Sequence, residues 1–148
     1  MIVKEPNDLL HQKCEPVSNF EEAKQIANEL LITIKSVSKW WNGWLGFAAN
    51  QIGHSKRIIV LRKGKENYKI LINPIVLEKR FSFPFLEKCY SLSLKKIYLV
   101  KRYLWVKVKY QDLASNTHEM TVIGPSAIYQ EIDHIDGILI SEVGFRVW

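Results

Sequence analysis

Two cysteines in 148 residues, Cys14 and Cys89, are too few for a disulfide framework, so each is expected as a free thiol. No stretch approaches the roughly eighteen apolar residues that a membrane span needs. The N-terminus, Met1-Ile2-Val3-Lys4-Glu5-Pro6, has neither the apolar core nor the small-residue cleavage site of a secretory signal. These absences point to a cytoplasmic chain with no membrane partner. Repeats, low-complexity tracts and linkers are missing too, which leaves one domain over residues 1–148. What is present reads as globular, with 47% hydrophobic and 24% charged residues. A net charge of +6 favours acidic partners such as RNA or the ribosome surface, because basic side chains release counterions from phosphates. Many basic enzymes that bind no nucleic acid share such a charge.

Residues 1–17 carry Pro6 and Pro16 without a sustained period and read as an extended arm with a short turn of helix. Ser18 and Asn19 are good helix caps, each followed three residues on by a glutamate, Glu21 or Glu22. Phe20, Ala23, Ile26, Ala27, Leu30 and Ile34 then keep helical spacing to about Lys35. Residues 36–43 read as a loop lined by Trp40 and Trp41. Residues 57–61 and 69–77 are β-branched and apolar around a turn at Gly64 and Asn67, the pattern of paired strands. Pro84 interrupts the aromatic run 81–86, which reads as a strand end or loop. Leu104, Val106, Val108 and Tyr110 alternate with Trp105, Lys107 and Lys109 as in a half-buried strand. A turn at 112–116 and a returning strand at 119–123 follow, then a helix over 126–135 that Gly137 stops. One helix, several strands and a final helix predict an α+β fold with an antiparallel or mixed sheet.

That final helix carries Glu131 and His134, three residues apart and therefore on one face. The pair is half of H-E-x-x-H, in which two imidazoles at i and i+4 bind one metal ion and the glutamate serves as general base. Gln130 stands where the first histidine would be.

Gly46-Phe47-Ala48-Ala49-Asn50-Gln51-Ile52-Gly53, Glu87-Lys88-Cys89-Tyr90-Ser91 and Glu131-Ile132-Asp133-His134-Ile135-Asp136-Gly137 resemble, in family order, the three signature motifs of the peptide deformylase family. Residues 9–17 and Leu71-Ile72-Asn73-Pro74 resemble the family as well, so the likeness covers nearly the whole chain. It implies metal-dependent hydrolysis of the N-formyl group from formyl-methionyl peptides, with N-formylated nascent peptides and the ribosome as partners and a monomer or homodimer as the assembly. By position, Cys89 and His134 would be metal ligands with Gln130 in the third place, and the ion would be Fe2+ or Zn2+. Glu131 would move the proton. The Gln51 amide and the Tyr90 backbone N–H would form an oxyanion hole, while Gly46, Trp44 and Tyr129 would border the substrate. Glu87 would pair with a basic residue such as Arg102.

Trp44 replaces a family glycine, Lys88 a glycine and Tyr90 a leucine. Gln130 is the gravest departure, since a neutral amide is a poor substitute for imidazole beside a thiolate; activity is expected to be reduced or lost. His11, His54 and His118 are expected to lie away from the metal. Two other readings stay open. One is an inactive homologue that keeps a peptide groove. The other is an RNA- or ribosome-binding module using residues 101–110, where aromatic and basic side chains interleave. The apolar tail, 138–148, reads as a final strand or a dimer support.

Overall fold

The computed structural model describes residues 1–37, 44–124 and 126–148, with Trp44 described by its backbone. The loop expected around Trp40 and Trp41, and the Trp44 indole expected beside the substrate, lie outside the described residues.

The N-terminal arm makes one 3-10 turn, Asp8–His11, started by the Asn7 side chain, which accepts from the Leu9 N–H. Helix α1 spans Phe20–Val37. Its cap is Asn19, whose Oδ1 accepts from the N–H groups of Glu21 and Glu22 at 3.1 and 3.2 Å. Then follow β1 (Trp44–Ala48), a 3-10 turn (Ala49–Ile52), β2 (Ile58–Lys63), β3 (Asn67–Glu87), β4 (Tyr98–Gln111), β5 (Thr117–Ile123), α2 (Ile128–Ile135), α3 (Ile140–Val143) and β6 (Gly144–Arg146). The strands form one sheet in the order β1-β2-β3-β4-β5, with β6 on β4, and every pairing between named strands is antiparallel. The α+β expectation holds, with an antiparallel sheet. Among the described residues no helix is long and apolar enough to cross a membrane.

Strand β2 explains how α1 and α2 come to flank the sheet. Ile58, Ile59, Val60 and Leu61 are all buried, so both faces of the strand are covered. Ile58 and Val60 join Phe47 and Ile72 against Ala23, Ile26, Leu30 and Ile34 of α1. Ile59 and Leu61 join Ala48 and Leu71 against Ile128, Ile132 and Ile135 of α2. Each fully buried aliphatic side chain stabilises the fold by about 1.5–3 kcal/mol before entropy is counted. The second cluster seats the Glu131–His134 face of α2 beside β1.

Several boundaries differ from the sequence reading. Residues 81–86 are the end of a strand and not a loop: they close β3, which pairs with β4 from Ile72↔Gln111 to Glu87↔Tyr98. The strand read at 104–110 begins earlier, at Tyr98, and the last helix begins at Ile128, after Ser126 accepts from the Ile128 N–H. The tail is a short helix followed by a strand. On β4, Arg80 stacks over Trp105 and Lys79 over Tyr103, both at 4.9 Å, so β3 cations already cover those aromatic rings.

Candidate functional site

Helix α2 is short, and its sequence divides its faces sharply. Ile128, Ile132 and Ile135 enter the core, while Glu131 and His134 sit on the adjacent face and are also buried, 2% and 0% exposed. A buried carboxyl and a buried imidazole cost desolvation, so their placement needs partners. His134 Nε2 lies 3.2 Å from Cys89 Sγ and 4.0 Å from Glu131 Oε1. Cys89 follows the end of β3 and is 2% exposed. The Ser91 N–H donates to its sulfur at 3.4 Å, which shapes the loop around the thiol.

The first motif arrives from β1 and the turn after it. Gln51 is locked in orientation: its Oε1 accepts from the Ala48 N–H at 2.9 Å, its Nε2 donates to Ser91 Oγ at 3.1 Å, and the same Nε2 lies 3.8 Å from Cys89 Sγ. Tyr90 turns its ring towards α1, 5.2 Å from Phe47, with its hydroxyl donating to the Val37 carbonyl. Tyr129 lies on α2, 6.0 Å from both the Tyr103 ring and the Arg102 guanidinium. Gly46 faces Glu131 directly. A Cβ on Gly46 would fall 2.6 Å from Glu131 Cγ, so a residue assigned to substrate contact is also the one that makes room for the carboxylate.

The expected Glu87–Arg102 pair is present and bidentate, at 2.8 and 2.9 Å. Arg102 also donates to Asp133 Oδ2 at 2.6 Å, so one guanidinium ties β3 and β4 to α2. Asn50 and Ser91 belong to the site as well, although the sequence reading gave them no role. Asn50 Nδ2 donates to the His134 carbonyl at 2.6 Å and holds the end of α2. Their only sequence signal was membership in the motifs.

Burial governs the ionisation of the cluster. It pushes the Cys89 thiol up to about 12, with the nearby Glu131 carboxylate adding to the rise and N–H donors, including the Gln130 amide, opposing it. Burial also raises Glu131 well above the carboxylate range, helped by Glu87 and opposed by Arg102. It lowers His134 to about 3, with Arg102 adding to the fall. A thiol at that level does not ionise alone near neutrality; a cation beside it reverses the balance.

Whether these residues suit a metal ion is answered by the donors themselves. A sulfur and an imidazole nitrogen 3.2 Å apart can flank one ion whose bonds are about 2.3 and 2.0–2.1 Å long. Among the described residues no set of three or more His, Cys, Asp or Glu could hold a metal. Gln130, expected in the third place, lies one turn before His134 on α2, and its Nε2 donates to the Lys88 carbonyl at 3.0 Å. Cys89 and His134 thus fit two positions around a metal ion. The other histidines bond elsewhere: His54 to Glu29, His118 to Asp112, and His11 to Glu5 and Glu142.

The chain matches the family described as polypeptide deformylase over residues 1–143. It is 35% identical over 149 residues to the peptide deformylase of Wolinella succinogenes, covering 93% of this chain and 84% of that one. It is 37% identical over 142 residues to peptide deformylase 1 of Bacillus anthracis, covering 93% and 87%. Among solved structures it superposes on a peptide deformylase from Legionella pneumophila with a TM-score of 0.86 at 27% identity, covering 97% and 84% of the two chains. The peptide deformylase from Thermotoga maritima gives 0.84 at 26%, covering 97% and 95%.

Proposed function

This chain belongs to the polypeptide deformylase family, and from that premise we propose that it hydrolyses the N-formyl group of formyl-methionyl peptides, releasing formate and a free α-amine. Members of the family are metal-dependent. Cys89, His134 and Gln130 would hold the ion, and a thiolate beside an imidazole suits Fe2+ or Zn2+. When bound, the ion supplies Lewis acidity that polarises the formyl carbonyl and acidifies water.

The remaining steps belong to the chain. Glu131 takes a proton from the attacking water and delivers it to the departing amine. The Gln51 amide and the Tyr90 N–H donate to the formyl oxygen as it gains charge, each worth roughly 3 kcal/mol of barrier. Gly46 and Tyr129 border the peptide, and N-formylated nascent chains are the substrates. Gln130 sets the rate below that of a site with two imidazoles, since loss of even a supporting partner costs about 10–100-fold in affinity or activity.

The observation that carries this reading is the 3.2 Å approach of Cys89 Sγ to His134 Nε2 with Glu131 beside them. Formate release from a formyl-Met peptide is the test, compared with a Gln130→His variant at matched metal content. Slow but measurable wild-type release, accelerated in the variant, supports the proposal. A wild type that releases no formate under any metal loading contradicts it.

A further inference from the structure

Outside the cluster of Cys89, Glu131 and His134, one group of titratable side chains bridges the N-terminal arm and α3. His11 Nε2 meets Glu5 Oε1 of the N-terminal arm, and His11 Nδ1 meets Glu142 Oε1 of α3 at 2.8 Å. A carboxylate oxygen can only accept a hydrogen bond, so both ring nitrogens must carry protons for both contacts to be made. A neutral imidazole has one N–H and would turn a bare lone pair towards one of the carboxylates. The arrangement therefore belongs to the imidazolium.

The arm that this histidine holds is bonded directly to residues of the candidate site. The Val3 N–H donates to the Gln51 carbonyl at 2.6 Å, and the Glu5 N–H donates to the Ser91 carbonyl at 2.9 Å. Ser91 Oγ donates to the Val3 carbonyl at 2.7 Å and accepts from Gln51 Nε2 at 3.1 Å. The Val3 carbonyl thus aims the serine hydroxyl, and the hydroxyl fixes the amide that also faces Cys89. Glu5 joins the two halves: its backbone bonds to Ser91 while its side chain bonds to His11. Behind the histidine there is little slack, because Gly137 lies against the His11 and Gln12 backbone so closely that a Cβ there would fall 2.7 Å from the His11 carbonyl carbon.

We propose that His11 is a pH-dependent latch on the N-terminal arm and, through the Val3–Ser91–Gln51 chain of hydrogen bonds, a positioning residue for the Gln51 amide. The charged groups acting on it are Glu5 from the arm and Glu142 from α3. Their hydrogen bonds, Glu5 first, raise the imidazole above its ordinary value against a partial desolvation. The sign follows: the latch is closed below the ordinary histidine range and opens as pH rises through the raised value. Alkaline conditions free the arm and loosen Gln51.

The effect of the latch on turnover rests on the deformylase reading; the latch itself does not. It is tested by amide hydrogen exchange at Val3 and Glu5, corrected for intrinsic rates, between about pH 5.5 and 8.5 with the His11 ring titration followed by NMR. In the wild type, protection should fall several-fold with the midpoint of the ring titration. His11→Asn should be poorly protected at every pH, whereas His11→Arg, a permanent cation, should stay protected and lose the pH dependence. With a formyl-Met peptide, kcat should fall on the same alkaline limb in the wild type and not in His11→Arg, with KM unchanged. Protection that ignores the ring titration, or a His11→Asn profile matching the wild type, would overturn the latch. If the exchange profiles behave as stated and no variant releases formate, the latch stands and the deformylase reading fails.

Discussion

Gly46 and the side chain of Glu131 occupy adjoining space: a Cβ at position 46 would lie 2.6 Å from Glu131 Cγ and 2.9 Å from its Oε2. The first and third motifs are joined by this contact, and the glycine is required by the carboxylate it faces. Gly46→Ala should push the Glu131 side chain from its place. Overpacking of this kind costs about 1–3 kcal/mol, and a displacement near 1 Å in a reacting group costs roughly 100-fold in rate. The expected outcome is a kcat for formate release that drops far more than the melting temperature shift would explain.

Arg102 is the counterion that makes two nearly buried carboxylates tolerable. Replacing it with methionine leaves Glu87 and Asp133, 13% and 23% exposed, without their cation. Breaking such a group typically destabilises by about 3–5 kcal/mol. Urea unfolding of Arg102→Met should show a loss in that range, and a loss below 1 kcal/mol would mean that the carboxylates find other partners.

Gln130→His exchanges a neutral amide for an imidazole four residues before His134 on the same helix face. It removes the bond from Gln130 to the Lys88 carbonyl, a contact worth about 1 kcal/mol. In return, metal affinity should rise at least about 10–100-fold, read by competition with a coloured chelator. An unchanged affinity would show that position 130 is no ligand in either form.

The turn between β4 and β5 offers an independent acid-side check. Asp112 accepts from the N–H groups of Ala114 and Asn116, both at 2.9 Å, and from His118. Its hydrogen bond with His118, helped by those backbone donors, holds it below the usual carboxylate range against an opposing desolvation. A lowered value means that the contribution is present above the ordinary aspartate range and lost as pH falls through the lowered one. Corrected for intrinsic rates, protection of the Ala114 and Asn116 amides should therefore be lost only in strong acid, and in Asp112→Ala it should be low throughout.

The parts of the molecule that were legible in the sequence are those where one residue type has one physical job. Asn19 as a cap of α1, the turn at 112–116, the paired strands at 57–61 and 69–77 and the three motifs all announced themselves in this way. The continuation of β3 through 81–87 did not, because Pro84 reads as an interruption. Beyond Ile72 the strand pairs with β4 and no longer with β2, and proline is tolerated on an edge whose outward N–H has no ladder bond to make. The seating of the N-terminal arm was equally hidden. It depends on backbone bonds from Val3, Glu5 and Cys14 to residues far along the chain, and a backbone N–H has the same chemistry in nearly every residue. Ser91 and Asn50 stood inside recognised motifs, yet their roles depend on contacts to Val3 and His134 that only the fold creates.

Formate release by a Glu131→Gln variant, measured with the metal content of the same sample, tests the central claim most directly. Because the substitution keeps the shape of the side chain and removes its basicity, the variant should hold as much metal as the wild type while formate release falls at least about 100-fold. A variant that holds its metal and releases formate as fast as the wild type would contradict the assignment of Glu131 as the group that moves the proton.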